Sequence, residues 1–425
     1  MLAAPARFNS LFNADRAGTR RLSAKVLAYP VMAALFLIAA FAYHAQFRHG
    51  AYLEDLFKQQ ADYGYSQWGS EKVVYTLDYD SILYESLFRD GVDLGYLVSN
   101  YTTMPNVMGI SVLAALTKSL GIEIFQLNVL MLLATGWLIT RVASLLKLSP
   151  VLPLACVYLN PVTIFNAQTA TKEIPLIAGC SLLIYLVLKF RRGSLILVAA
   201  PVLAFLAFTR VQTGGLLGCG LLLSMLPYRK AVTLIWVSSA GLFALFPLTS
   251  LTGFWLGADY YREMSGRVGI GEYIDLGLKY IPFAGYLCIP LRAIHNALDP
   301  FPFAPFMSDG KSIWSVYACM NHLSFYYSSF VFIGLIPLLW RYLTFKCAPS
   351  RAQHAILLFV LVGWTSVAIV PYVQGRYLYP FMPVAAFALS FSIKLVSSSA
   401  RKSMYLAWFG IACLQTWIGL AALPW

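Results

Sequence analysis

Eleven apolar runs begin near residues 26, 124, 150, 174, 194, 213, 232, 324, 354, 377 and 404. Each approaches the ~20 residues needed to cross ~30 Å of hydrocarbon. Short polar turns separate them, except where long polar segments intervene at 48–104 and 253–322. The pattern predicts an all-α polytopic membrane protein with about 11 transmembrane helices. The expected order is a basic cytoplasmic tail (1–25), a first transmembrane helix (26–47) and an acidic outer loop with an interfacial helix (48–123). A six-helix membrane block (124–252), a second outer loop (253–322) and a four-helix C-terminal membrane block (323–425) follow. Segment 105–121 reads as a helix on the outer interface with Lys118 kept wet, because a crossing there would carry Arg141 and Lys147 outward. Segment 281–294 is too short to span comfortably and reads as a surface helix.

Composition agrees with this reading. The 425 residues are 59% hydrophobic and 12% charged, with a mean hydropathy of +0.69. With the N-terminus cytoplasmic, the eleven crossings place 18 of the 31 Lys and Arg inside with one acid, Asp15. That asymmetry sets the orientation, puts the C-terminus outside, and fits a bacterial inner membrane. The net charge of +13 therefore reports a face toward anionic lipid, and no nucleic-acid partner is expected. The seven cysteines sit singly in apolar runs, with no spacing that suggests zinc or haem. No P-loop, GxSxG, HExxH or dinucleotide-binding glycine pattern occurs. No cofactor is expected, and no divalent metal is indicated.

Polar chemistry gathers on the expected outer side. Segment 48–104 of the first outer loop holds nine of the 18 acids, among them Asp78 and Asp80 in Asp78-Tyr-Asp80-Ser-Ile-Leu-Tyr84-Glu85. A carboxylate at a dry interface, its pKa raised by desolvation, is suited to take a proton from an acceptor hydroxyl. The alternative is a solvated loop pairing with Lys58, Lys72 and Arg89. Between the runs at 150 and 174 lies Asn160-Pro-Val-Thr-Ile-Phe-Asn-Ala-Gln-Thr-Ala-Thr-Lys172-Glu173-Ile-Pro175. An adjacent Lys and Glu at that depth are expensive unless paired or working. Lys172 suits a phosphate and Glu173 could orient it or a sugar hydroxyl; a salt bridge capping the next helix is the alternative. Arg210 ends an apolar run with no acid beside it in sequence. Arg376, followed by Tyr377, stands at the outer end of a later run, and Arg292 lies in the second outer loop. Guanidinium groups match phosphate oxygens and stay charged when partly buried, although each alone could be snorkelling.

The order of these features resembles the GT-C superfamily of integral-membrane glycosyltransferases. The resemblance rests on an acidic outer loop after the first span, and on Met104-Pro-Asn-Val-Met-Gly leading to Leu116-Thr-Lys-Ser-Leu-Gly121, similar to that family's interfacial helix. It rests further on the Lys172-Glu173 turn, on Arg210, and on Arg376-Tyr377-Leu-Tyr-Pro380-Phe-Met-Pro383, and covers residues 26–230 and 355–395. Two features depart from it: Glu54-Asp55 reverses the family's acidic pair, and no large soluble C-terminal domain follows. Exopolysaccharide and O-antigen polymerases look similar. The resemblance implies transfer of a sugar or oligosaccharide from a polyprenyl-phosphate or polyprenyl-diphosphate donor to a glycan or glycolipid acceptor at the periplasmic face. Asp80 or Asp78 would act as base, with Lys172, Glu173, Arg210, Arg292, Arg376 and Tyr377 binding substrate and phosphate. A repeat-unit polymerase and a lipid-linked oligosaccharide flippase are the alternatives.

Overall fold

Helix forms in each of the eleven apolar runs. The computed structural model describes residues 27–45, 84, 108–190, 192–245, 316–369, 378–395 and 397–421, with no strand among them. The helices are α1 (Leu27–Ala45), α2 (Met108–Leu120), α3 (Ile124–Leu146), α4 (Val151–Tyr158), α5 (Pro161–Asn166), α6 (Glu173–Lys189) and α7 (Arg192–Thr209). There follow α8 (Val211–Ser224), α9 (Tyr228–Leu245), α10 (Val316–Leu343), α11 (Arg351–Ile369), α12 (Met382–Leu395) and α13 (Ser398–Ala421). A 3₁₀ turn, Tyr379–Phe381, leads into α12. The all-α expectation holds for the described residues.

By length and composition, α1 and α3 are the described helices able to cross a membrane; α3, with 23 residues, extends about 35 Å. The run expected as a span from about 150 is instead two short helices of 8 and 6 residues. Pro161 explains the break. It offers no N–H and biases Asn160 away from helical geometry, so α4 stops and α5 restarts with Pro161 in its first turn. Asn160 caps the restart, its Oδ1 accepting from the Val162 amide at 3.2 Å.

Helix α6 is the hub. Twelve of its 17 residues are buried, as expected of a helix apolar all round, and it packs against α3, α7, α11, α12 and the 3₁₀ turn. Close approach elsewhere depends on missing side chains. A Cβ on Gly136 of α3 would run into the Tyr158 ring, and one on Gly109 of α2 into Thr209. The Tyr158 hydroxyl donates to the Leu132 carbonyl at 2.9 Å, and its ring stacks on Phe36 of α1 at 5.2 Å. These contacts tie α1, α3 and α4 together.

The packing gives the bundle two chemically different ends. At one end the α6 N-terminus meets the Arg210 break between α7 and α8, the start of α3 through Asn128, and the 3₁₀ turn. At the other, Tyr228 donates to the Tyr342 carbonyl at 2.6 Å, and Tyr342 meets His354 at 2.8 Å. That second end also carries Arg141, Lys189, Arg229, Lys230, Arg341, Lys346 and Arg351, and no acid among the described residues. Helix α2 begins against the last residue of α7 and ends with three residues left before α3, so both its termini lie at the first end. It closes at Gly121, whose φ of +62° lets the Ile122 amide bond back to Thr117 at 3.1 Å. With 13 residues it is about 20 Å long.

Large apolar side chains cover the flanks. Leu27, Val31, Leu35, Ile38 and Phe41 form one exposed stripe along α1, while Ala33, Phe36 and Ala40 face inward. Leu197 and Leu406 are more than 70% exposed on α7 and α13. Exposed apolar surface of this kind marks an interaction face, toward protein or membrane.

Candidate functional site

The polar end of the bundle is built on the α6 N-terminus. Glu173 occupies the first turn of α6, where the helix dipole favours a negative charge. It is buried, and Arg210 Nη2 donates to its Oε1 at 3.2 Å. Arg210 reaches it because the chain turns extended there, with φ −155°, between the end of α7 and the start of α8. The acid missing from Arg210's sequence neighbourhood is thus supplied from 37 positions upstream. Lys172 turns the other way, its Nζ 5.0 Å from the centroid of the Tyr84 ring. The two adjacent charges of the Lys172-Glu173 turn therefore take different partners.

Tyr84 connects this end to the acidic loop. It is 3% exposed and packs with Ile110 and Leu113 of α2, Leu127 of α3 and Ala170. The remaining polar side chains hold the backbone between α5 and α6. Asn128 Nδ2 donates to the carbonyls of Asn166, Ala167 and Thr169 at 3.4, 3.2 and 2.9 Å. Gln168 Nε2 donates to the Ala40 and Ile164 carbonyls, and its Oε1 accepts from His44 Nδ1 at 2.9 Å. Ser324 of α10 donates to Asn160 Oδ1, and the Thr163 and Tyr379 hydroxyls are hydrogen-bonded. Buried non-helical backbone is tolerated where protein groups satisfy it in this way.

Two hydroxyls stand out. Thr169 Oγ1 and Thr171 Oγ1 are buried and find no hydrogen-bond partner among the described residues. Polar atoms so placed either carry an energetic penalty or await a ligand or water. They flank Lys172 and Glu173 in sequence, on the stretch that Asn128 holds. Asn128→Ala should therefore loosen this stretch and lower stability by about 1–3 kcal/mol, since three carbonyls lose a donor. Thermal unfolding in detergent, together with faster hydrogen exchange at 166–171, would register it.

Of the residues expected from sequence, Lys172, Glu173 and Arg210 come together at this end. Asp78, Asp80, Arg292, Arg376 and Tyr377 lie outside the described residues, as does segment 281–294. Sequence reading did not single out Asn128, Gln168, Thr169, Thr171, Ser324 or Tyr379. A signal existed for the threonines, which crowd a short turn between apolar helices. The cysteines Cys156 and Cys180 are buried as packing groups, and no cluster of metal-binding side chains occurs among the described residues. No protein family, curated protein or solved structure matches the chain.

Proposed function

We propose that this chain is an integral-membrane glycosyltransferase with about 11 crossings. It would move a sugar or oligosaccharide from a polyprenyl-phosphate or polyprenyl-diphosphate donor to an acceptor at the periplasmic face. The observation that carries the reading is the seating of Tyr84 beside Lys172 at the polar end of the bundle. Four residues separate Asp80 from Tyr84, which caps their Cα distance at about 14 Å by chain length alone. Three residues likewise separate Arg376 from Tyr379, whose hydroxyl bonds Thr163 at the same end. Short stretches of chain thus join Asp80 and Arg376 to groups beside Lys172 and Arg210, which supports a shared site for these four.

In the proposed reaction Asp80 or Asp78 takes the proton of the acceptor hydroxyl as its oxygen attacks the anomeric carbon. The bond from that carbon to the donor phosphate oxygen breaks, and polyprenyl phosphate or diphosphate leaves with the electron pair. Lys172, Arg292 and Arg376 stabilise the charge that grows on the phosphate. Glu173 holds the plane of the Arg210 guanidinium, which gives Arg210 a fixed direction toward the same charge. Thr169 and Thr171 offer hydroxyls to the sugar or phosphate. Among the described residues, ionisable groups lie at the two ends of the bundle rather than along its middle, which favours a stationary site over a flippase path.

The test replaces Asp80 with Asn and Arg376 with Ala, separately, and measures cell-envelope polysaccharide and glycolipid at matched protein level. Asp80→Asn should lower production by about 10²–10⁴-fold, the usual contribution of a general base. Full production in both variants would remove the enzymatic reading. So would accessibility labelling of cysteines at positions 80 and 376 that placed them on opposite faces of the membrane.

A further inference from the structure

At the basic end, the walls of α3 and α6 part to leave a cleft of about 450 Å³ lined by Trp137, Arg141, Ser144, Leu145, Tyr185 and Lys189. Two rings form its sides. Trp137 and Tyr185 stand with centroids 6.3 Å apart and planes at 53°. Each ring holds a cation: the Arg141 guanidinium carbon lies 5.2 Å from the Trp137 centroid, and Lys189 Nζ lies 5.1 Å from that of Tyr185. Arg141 and Lys189 come from neighbouring helices that run parallel and both end here, so the cleft draws one positive charge from each wall. The only acids among the described residues, Glu123 and Glu173, both belong to the far end. Below the cations the flank is apolar, with Trp137 and Leu130 of α3 each about half exposed.

Apolar walls beneath, amphipathic rings at the rim and two uncompensated cations above match one kind of occupant. We infer that this cleft binds the phosphate head group of an anionic glycerophospholipid from the cytoplasmic leaflet. Arg141 and Lys189 take the phosphate, the rings lie along the glycerol region, and the acyl chains run down the apolar flank. A choline-bearing lipid carries the same phosphate with a fixed cation beside it, which the two basic groups repel. A soluble phosphate lacks the chains that the flank would cover. The inference rests on the membrane placement of the bundle and not on sugar transfer, so either can fail without the other.

The experiment uses the full chain in neutral detergent, doped with dioleoylphosphatidylglycerol, dioleoylphosphatidylcholine or millimolar inorganic phosphate, with bound lipid counted by native mass spectrometry. The unaltered chain should retain one phosphatidylglycerol through delipidation, retain no phosphatidylcholine, and keep its lipid against inorganic phosphate. Arg141→Gln/Lys189→Gln should bind the anionic lipid roughly 30-fold more weakly, taking the usual effect of two basic residues near a charged surface. Arg229→Gln/Lys230→Gln removes the same charge from the same end outside the cleft and should retain the lipid. Arg141→Lys keeps the charge and should retain most of it. Equal retention in the Arg141/Lys189 variant, equal loss in the Arg229/Lys230 variant, retention of phosphatidylcholine, or displacement by inorganic phosphate would each overturn the assignment.

Discussion

Arg210→Ala should destabilise the folded chain by about 3–5 kcal/mol, because it strands the Glu173 carboxylate in a buried position without its partner. Both side chains are no more than 10% exposed, so water cannot compensate as it would at a surface. The single variant alone would leave two roles confounded, since a collapsed protein is also an inactive one. The pair Glu173→Leu/Arg210→Met separates them. Replacing a buried ion pair by apolar groups of similar volume is often neutral or stabilising, so the double variant should recover the thermal midpoint lost in Arg210→Ala. Under the proposed function it should still fail to make polysaccharide or glycolipid. A double variant that is both stable and active would assign the ion pair to architecture alone. Buried Cys156 and Cys180 supply the unfolding readout, since a thiol-reactive fluorophore reaches them only when the bundle opens; exposed Cys219 and Cys413 set the baseline.

The second large effect is expected at the contact of α3 with α4. Tyr158 is fully buried, stacked on Phe36 and hydrogen-bonded to Leu132, and Gly136 leaves the space its ring fills. Tyr158→Ala should lower stability by about 3–5 kcal/mol through the cavity it opens. Gly136→Ala pushes a methyl into the same ring and should cost about 1–3 kcal/mol. The atom nearest that methyl is the Tyr158 hydroxyl. Tyr158→Phe added to Gly136→Ala should therefore recover part of the loss, although Tyr158→Phe alone forfeits a hydrogen bond. Additive losses in the double variant would mean that the two helices do not meet at this point. The same thiol assay measures all three variants.

Helix positions were legible because apolar runs of this length leave few alternatives, and their order survives in the structure. The break at Pro161 was legible, since Asn160-Pro161 opens the expected turn, but the short helix α5 inside that turn was not, because six residues leave no periodic signal. Lys172 and Glu173 stood out as charges in an apolar setting. Their partners did not, because Arg210 and Tyr84 are distant in sequence and only the packing of α2 and α7 on the α6 N-terminus brings them near. Reading Arg210 as a cation without an acid followed from looking along the chain. The buried amides and hydroxyls that shape the site lie one per helix, at Asn128, Thr163, Ser324 and Tyr379, where no local pattern distinguishes them from ordinary polar residues in spans.

The stretch from Val151 to Lys172 has a consequence for how the protein is made. Its helical pieces are brief, and its packing is completed by Ala40 near the end of α1, whose carbonyl accepts from Gln168, and by Ser324 near the beginning of α10, whose Oγ accepts from the Val162 amide. The ribosome delivers that second partner more than 150 residues later. Under the proposed membrane placement, a chain halted before α10 would hold an unfinished segment in lipid, a natural point of recognition for insertion chaperones and quality-control proteases.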